Sequence, residues 1–131
     1  MPPNLLHRIK RKVEIYYEKS QGLDFSKTIS PEALGLDSKF VSAGSPSGNK
    51  YLKNCLSSLA ISKNDRILDI GCAKVSAIKY FLMCPFEYVH GIELSNYLSE
   101  IAISNFRKLK KNNVKIFNQD ARKFNQYADY N

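Results

Sequence analysis

Hydrophobic and polar residues along this chain follow two spacings in alternation. Three short apolar runs, at residues 65–71, 87–94 and 114–118, have the length and the bounding turn residues of strands. Apolar residues at helical spacing follow the first and second runs, so the order is strand, helix, strand, helix, strand. Because each connection is long enough for a right-handed crossover, the pattern predicts an α/β fold with a parallel sheet.

Helical spacing also appears before the first strand. Residues 4–19 predict an amphipathic helix with basic residues opposite its apolar face, and Asn49 to Ala60 predicts a second helix. Ser95 is a suitable cap for the helix after the second strand, and Ser30-Pro31-Glu32 is a plausible short helix start. The apolar positions of the four helices are Leu6, Ile9, Val13, Tyr16 and Tyr17; Tyr51, Leu52, Cys55, Leu56 and Leu59; Ala77, Ile78, Phe81 and Leu82; and Leu98, Ile101, Ala102, Phe106 and Leu109.

A loop-forming run, Gly44-Ser45-Pro46-Ser47-Gly48, precedes the second helix. It is either a plain connector or a loop that covers a ligand. We therefore divide the chain into residues 1–48, an N-terminal helix with a lead-in loop, and residues 49–131, which hold the strands.

The chain is basic, with a net charge of +8 over 131 residues. Much of the excess lies in two clusters, residues 8–12 and 107–111. Such clusters are typical of solvated helix faces, and they also suit RNA, an anionic surface or an acidic protein partner. Neither cluster is interleaved with aromatic residues in a way that indicates base stacking.

The sequence also favours a location in the cytoplasm. Its three cysteines, Cys55, Cys72 and Cys84, have no metal-like spacing and suit a reducing compartment better than a disulfide framework. No apolar run approaches the roughly 20 residues that span a bilayer, so we expect no membrane insertion. The first residues do not read as a secretory signal.

Acidic residues stand at or near the carboxyl ends of all three predicted strands. These ends share one edge of a parallel sheet, where such sheets bind ligands. Glu93, near the end of the second strand, can accept hydrogen bonds from the two hydroxyls of a ribose, and Asp120 can accept one from an adenine amine. Gly71 permits a sharp turn close to a ligand. Together these residues predict an adenosine site.

The first turn distinguishes two adenosine cofactors. A dinucleotide would need a glycine pattern that is absent here, and its phosphates would lie near the charge of Asp69. S-adenosylmethionine instead presents an ammonium group, which Asp69 can meet, and a carboxylate suited to the helix N-terminus. Asp69 therefore favours S-adenosylmethionine, and a fragment of a nicotinamide-dependent oxidoreductase is the less favoured interpretation.

Three segments together resemble the first three motifs of class I S-adenosylmethionine-dependent methyltransferases. They are residues 69–72 (Asp-Ile-Gly-Cys), 91–95 (Gly-Ile-Glu-Leu-Ser) and 118–121 (Asn-Gln-Asp-Ala), and Ser45-Pro46-Ser47 resembles the family's leading segment. The resemblance implies a Rossmann-like parallel sheet, of which this chain holds the N-terminal half, with an S-adenosylmethionine cofactor. The implied cofactor-binding residues are Asp69, Gly71, Cys72 and Ala73 beside the methionine moiety, Glu93 and Leu94 at the ribose and adenine, and Asp120 and Ala121 at the adenine edge.

The sequence departs from that family in two ways. Ala73 and Val75 replace the later glycines of the first turn. Ala73 is strained if its position needs a left-handed backbone, and Val75 adds bulk where the helix should approach closely. The residues that would face the methyl acceptor belong to a fourth strand, and residues 128–131 look like its lead-in. We therefore expect either a truncated or incompletely represented chain, or, if the chain is whole, a first strand at a sheet edge that a homodimer covers.

The leading hypothesis is a methyltransferase whose catalytic residues and methyl acceptor (protein, small molecule or RNA) the sequence does not define. The alternative is a degenerate, non-catalytic module that acts through protein or RNA binding. Cys72 and Cys84 read as packing residues because neither has a basic partner in sequence. His90 lies within the second strand rather than at its end, which disfavours a role as general base.

Overall fold

The computed structural model of the chain describes residues 4–39 and 48–131. Residues 44–47 of the predicted loop, including the Ser45-Pro46-Ser47 segment, lie outside the described residues. Among the described residues, three short 3-10 helices occupy Glu32–Leu34, Ala121–Lys123 and Tyr127–Asp129. The helices and strands in chain order are α1 (Leu5–Ser20), α2 (Lys50–Ser58), β1 (Arg66–Ile70), α3 (Ile78–Phe81), β2 (Tyr88–Glu93), α4 (Asn96–Lys108) and β3 (Val114–Asn118).

The three strands form one sheet in the order β1-β2-β3, and both pairings are parallel. This confirms the predicted architecture. The register places Asp69 opposite Gly91 and Glu93 opposite Asn118, so the acidic strand ends share one edge. Gly91 has a specific packing role, because a Cβ atom there would lie 2.6 Å from the Sγ of Cys72. The missing side chain lets the turn after β1 pack over β2.

The hydrophobic core lies between the sheet and the helices that follow its strands. Ile78 of α3 and Val89 of β2 are fully buried, and Ala102 and Phe106 of α4 are buried as predicted. The N-terminal segment joins this core through Phe25, whose ring packs edge-on against Phe106 with the centroids 6.2 Å apart. Within the described residues, no helix combines the length and the apolar character needed to cross a bilayer.

The helix after β1 is shorter than its apolar spacing suggests. Only Ile78–Phe81 is α-helical, and residues 71–77 form an irregular turn. Ala73 and Val75 have φ angles of +46° and +67°, which an α-helix does not accept. The helix therefore begins only after this turn has been completed.

The first helix attaches to the domain through its polar side. Glu18 is buried, and its Oε2 accepts hydrogen bonds from the backbone N–H groups of Phe25 (3.0 Å) and Ser26 (2.9 Å). The other oxygen of Glu18 accepts the Ser26 hydroxyl at 2.7 Å. Arg11, on the same side of the helix, donates to the Thr28 hydroxyl at 3.0 Å. The apolar face predicted from the sequence consequently points to solvent.

Candidate functional site

The turn after β1 folds onto the carboxyl end of β2. The N–H groups of Gly71 and Cys72 both donate to the carbonyl of Ile92, at 2.9 and 3.0 Å. The next contact is made by the Ala73 N–H, which donates to Oε2 of Glu93 at 2.8 Å. Two of the predicted site segments are therefore brought into direct contact.

The backbone of this turn is left-handed at three positions. Gly71 has a φ of +74°, and a Cβ atom added there would meet no atom of the described part of the chain within 4 Å. Ala73 and Val75 share the left-handed region, although glycine is the residue that adopts it without strain. Both departures from the glycine pattern therefore fall on left-handed positions. Val75 is also fully buried, so its side chain contributes packing despite the strained backbone.

Asp69 stands just before the turn with an incomplete set of hydrogen bonds. Its Oδ2 is buried and has no hydrogen-bond partner among the residues that the structure describes. Burial, and secondarily the nearby charge of Glu93, raise the pKa of Asp69 to about 6 from an ordinary 3.8. A buried acceptor without a donor is costly in a protein interior. This carboxylate is suited to a ligand that brings a positive charge or a donor.

Glu93 ends β2 with both carboxylate oxygens engaged. One accepts the Ala73 N–H and the other accepts the Ser95 N–H at 2.7 Å, and the residue is 7% exposed. Each carboxylate oxygen can still accept a second hydrogen bond. Leu94 follows with 51% exposure, which leaves an apolar surface beside this carboxylate. Asn118 of β3 fixes the strand end by donating to the Glu93 carbonyl at 3.0 Å.

Asp120 follows β3 and is paired locally. The Nη2 of Arg122 lies 2.6 Å from its Oδ2, and the Arg122 N–H donates to Oδ1 at 2.9 Å. These hydrogen bonds lower the pKa of Asp120 to about 2. The residue caps the 3-10 helix that starts at Ala121, as an Asx turn would. Asp120 and Ala121 are at the expected edge, and their contact with an adenine stays a prediction.

The structure also contains an ion pair that sequence reasoning missed. Lys74 in the turn is buried, and its Nζ lies 2.6 Å from Oδ2 of Asp24. The buried side chain of Asn105 holds Asp24 in place by donating to its carbonyl and accepting its N–H. The partners are 50 positions apart in sequence, so no local pattern signals the pairing.

The remaining candidates match their predicted structural roles. Cys72 is buried against Gly91, and burial raises the pKa of its thiol. A thiol in such surroundings is a poor nucleophile. His90 lies inside β2, with its Nδ1 2.7 Å from the Tyr130 hydroxyl, and burial lowers its pKa.

Comparisons with known proteins place this arrangement among methyltransferases. The family model described as protein-L-isoaspartate(D-aspartate) O-methyltransferase matches residues 12–131. The solved structure of the YcgJ protein from Bacillus subtilis is similar, with a TM-score of 0.52 and 17% identity over 58% of this chain and 32% of that one. The MccD protein structure has a TM-score of 0.52 and 25% identity over 62% of this chain and 36% of that one. The curated proteins contain no sequence match.

These figures also fix how much of the fold is present. The matched region spans 32% of the YcgJ chain and 36% of the MccD chain, which is about a third of the length of each. Its three parallel strands with flanking helices are part of a Rossmann-like methyltransferase fold.

Proposed function

We propose that this chain, which belongs to the protein-L-isoaspartate(D-aspartate) O-methyltransferase family, binds S-adenosylmethionine at the edge formed by β1, β2 and β3. The observation that carries the proposal is the buried Oδ2 of Asp69 beside the turn, which has no hydrogen-bond partner within residues 4–39 and 48–131. The ammonium group of S-adenosylmethionine brings both the charge and the donors that this oxygen lacks. A dinucleotide would bring negative phosphates to the same place.

The turn itself supports the same ligand. The space over Gly71 is open as far as the described residues go, since an added Cβ atom would meet none of their atoms within 4 Å. The backbone of Gly71 can therefore approach a ligand closely, and Cys72 and Ala73 follow it in the turn on the same side of the proposed site. We assign the methionine moiety to this part of the site.

The ribose and adenine would lie along the ends of β2 and β3. The carboxylate of Glu93 is already oriented by two backbone N–H groups, so its remaining acceptor positions are fixed before a ribose arrives. The exposed side chain of Leu94 offers an apolar surface to the adenine ring. Asp120 and Ala121 are proposed for the adenine edge.

The reaction we propose is methyl transfer. S-adenosylmethionine supplies an electrophilic methyl group on its sulfonium, and the protein holds that methyl in line with an acceptor. The family description names an isoaspartyl or D-aspartyl residue, so a carboxylate oxygen is the proposed acceptor here. The free thiols of Cys55, Cys72 and Cys84 support the cytoplasm as the location.

A second candidate function is a non-catalytic module that has lost cofactor binding. The observation that favours it is the left-handed backbone of Ala73 and Val75, because their side chains bring bulk and strain to the turn that should approach the ligand. Such a module would act through protein or RNA contacts.

Calorimetric titration with S-adenosylmethionine and S-adenosylhomocysteine distinguishes the two functions. Asp69→Asn is the decisive variant, since Glu93 also holds the turn and its removal would disturb the backbone. Loss of a charge-assisted hydrogen bond should weaken binding about 10- to 100-fold. The matched control is Asp129→Asn, an exposed carboxylate outside the site, which should bind like the unmodified chain.

Two results would count against the proposal. The first is equal affinity in the Asp69→Asn and Asp129→Asn variants, which would mean that Asp69 does not hold the ligand. The second is an absence of heat from a folded sample of both the unmodified chain and Ala73→Gly, which would favour the non-catalytic module.

A further inference from the structure

The first helix carries a continuous apolar surface that no described part of the chain covers. We call it the α1 stripe, and it consists of side chains that lie opposite the buried Glu18. Their exposure is high for aliphatic and aromatic residues. The members are Leu5 (71% exposed), Leu6 (74%), Ile9 (50%), Val13 (63%), Tyr16 (77%) and Tyr17 (66%).

Positive charges accompany the stripe along the helix. Helical spacing places Lys12 at one margin of the α1 stripe and Lys10 at the other. Arg8 and Lys19 lie beyond Lys12, further from the stripe. Within residues 4–39 and 48–131 none of these four side chains forms an ion pair. Lys108 contacts the carbonyl of Gly22, just after α1, so the basic end of α4 lies near the end of the helix.

This combination restricts the partner. A second copy of α1 laid along the stripe would bring two cationic margins together, which like-charge repulsion disfavours. RNA satisfies the charges but offers nothing to bury four aliphatic side chains. An anionic lipid surface satisfies both requirements, because its headgroups attract lysine and its acyl region accepts leucine, isoleucine and valine.

We propose that α1 docks this protein onto anionic membrane surfaces without crossing them. The helix would lie flat, with the α1 stripe entering the boundary between headgroups and acyl chains. Tyr16 and Tyr17 are suited to that depth, since the ring is apolar and the hydroxyl stays hydrated. Glu18 and Arg11 hold the opposite side of the helix on the domain, so docking requires no unfolding. This inference is independent of the proposed cofactor site.

Vesicle co-sedimentation tests the proposal. The chain should bind phosphatidylcholine vesicles that contain phosphatidylserine, bind pure phosphatidylcholine much less, and dissociate as salt is raised. Ile9→Asp combined with Val13→Asp should weaken binding at least about tenfold, because docking would bury both aliphatic side chains in the lipid and the variant loses those contacts. Lys10→Gln combined with Lys12→Gln should weaken it and reduce the salt dependence.

The control applies the same chemistry elsewhere. Leu59→Asp combined with Met83→Asp also replaces two exposed apolar residues, at 57% and 69% exposure, and should bind like the unmodified chain. All four residues are solvent-exposed, so circular dichroism should show a folded protein in every variant.

Three outcomes would overturn the proposal. The first is equal binding to both kinds of vesicle, or none at low salt. The second is a dimer in sedimentation velocity that Ile9→Asp and Val13→Asp dissociate, which would make a second copy the occupant. The third is tight binding of polyuridylate that those two substitutions leave intact, with no vesicle binding, which would assign the basic residues to RNA.

Discussion

Two residues in the turn after β1 have backbone angles that favour glycine, and they should respond oppositely to substitution. Ala73→Gly removes a strain of about 1–2 kcal/mol and costs about 0.4–1 kcal/mol through the freer unfolded chain. The free energy of unfolding should therefore rise by about 0.5–1 kcal/mol in urea denaturation. A fall would mean that the positive φ of Ala73 is not strained.

Val75→Gly should lower stability although it removes the same kind of strain. Val75 is fully buried, and removing its side chain leaves a cavity whose cost, about 2–4 kcal/mol, exceeds the relief. Gly71→Ala adds the strain without a steric clash, because its Cβ would meet nothing within 4 Å among the described residues. It should cost about 0.5–1 kcal/mol net in the same denaturation experiment, since the stiffer unfolded chain offsets part of a strain of about 1–2 kcal/mol. Equal stability of Val75→Gly and the unmodified chain would contradict this account.

Asp69 should give the protein an unusual pH dependence. Its folded-state pKa of about 6 lies above the ordinary 3.8, so the folded state binds the proton more tightly than the unfolded state. The contribution of Asp69 to the free energy of unfolding is complete below about pH 4 and is lost as the pH rises through about 6. At about 1.4 kcal/mol per pKa unit, the total loss is about 3 kcal/mol at most.

Urea unfolding between pH 4.5 and 7 measures this effect. Asp65 and Asp120 have lowered pKa values and remain ionised in that window. His90 titrates in the same window with a slope of the opposite sign, because burial lowers its pKa. Asp69→Asn should therefore abolish the fall in stability with rising pH and be more stable than the unmodified chain at pH 7. Affinity for S-adenosylmethionine should move the other way and fall as Asp69 becomes neutral below about pH 6. A pH-independent affinity would separate Asp69 from the ammonium group.

Residue roles were predictable where the strand order fixed them. Asp69, Gly71 and Glu93 follow parallel strands, so their common edge followed from the sequence. The direction of each side chain did not, since Glu93 turns its carboxylate to the Ala73 N–H and Asp120 pairs with Arg122. Such choices depend on donors that become neighbours only after folding.

At the scale of elements, the Asp24–Lys74 ion pair joins the N-terminal segment to the turn. Asp24→Ala would leave the buried ammonium group of Lys74 without its partner and should lower the free energy of unfolding by up to about 3 kcal/mol. The loss is somewhat smaller than for a fully buried pair, because the Asp24 side chain is partly exposed to water. Adding Lys74→Met should restore most of that loss, because a buried charge is replaced by an apolar chain of similar length. Urea unfolding of the single and double variants measures both changes.

The control for this experiment is an exposed pair. The Nε of Arg66 lies 2.6 Å from Oε2 of Glu87, and the two side chains are 41% and 37% exposed. Glu87→Ala should therefore lower the free energy of unfolding by less than about 1 kcal/mol. If Asp24→Ala cost no more than Glu87→Ala, the turn would not depend on the N-terminal segment. If Lys74→Met gave no recovery, the lost charge would not be the cause.

The helices illustrate which properties a periodic pattern predicts. The spacing of α1 correctly gave an amphipathic helix, but apolar spacing alone does not say which face meets the domain. Here Glu18 decides it, by accepting the N–H groups of Phe25 and Ser26. In α3 the apolar spacing correctly gave buried Ile78 and Phe81, whereas the left-handed Ala73 and Val75 postponed the helix start.

At the scale of the molecule, β1 has a strand partner on one side only among the described residues. On the other side, the side-chain oxygen of Asn131 accepts the Arg66 N–H at 2.8 Å, and the backbone N–H of Asn131 donates to the Arg66 carbonyl at 3.3 Å. Alternate residues of a strand point their backbone N–H and C=O groups to the same side, so those of Leu68 and Ile70 also face this open edge. An apolar edge of this kind is a template for a second strand.

We therefore propose that a second copy pairs with this edge and forms a homodimer. Ile70 is 57% exposed, and Ile70→Lys would place a charge at the pairing surface without disturbing the core. In sedimentation velocity, the unmodified chain should shift toward dimer with rising concentration, while Ile70→Lys stays monomeric. Ile9→Asp with Val13→Asp should leave the dimer intact, because those residues lie on α1. An unmodified chain that stays monomeric at about 100 μM, roughly tenfold above the Kd of a weak complex, would rule out pairing at this edge.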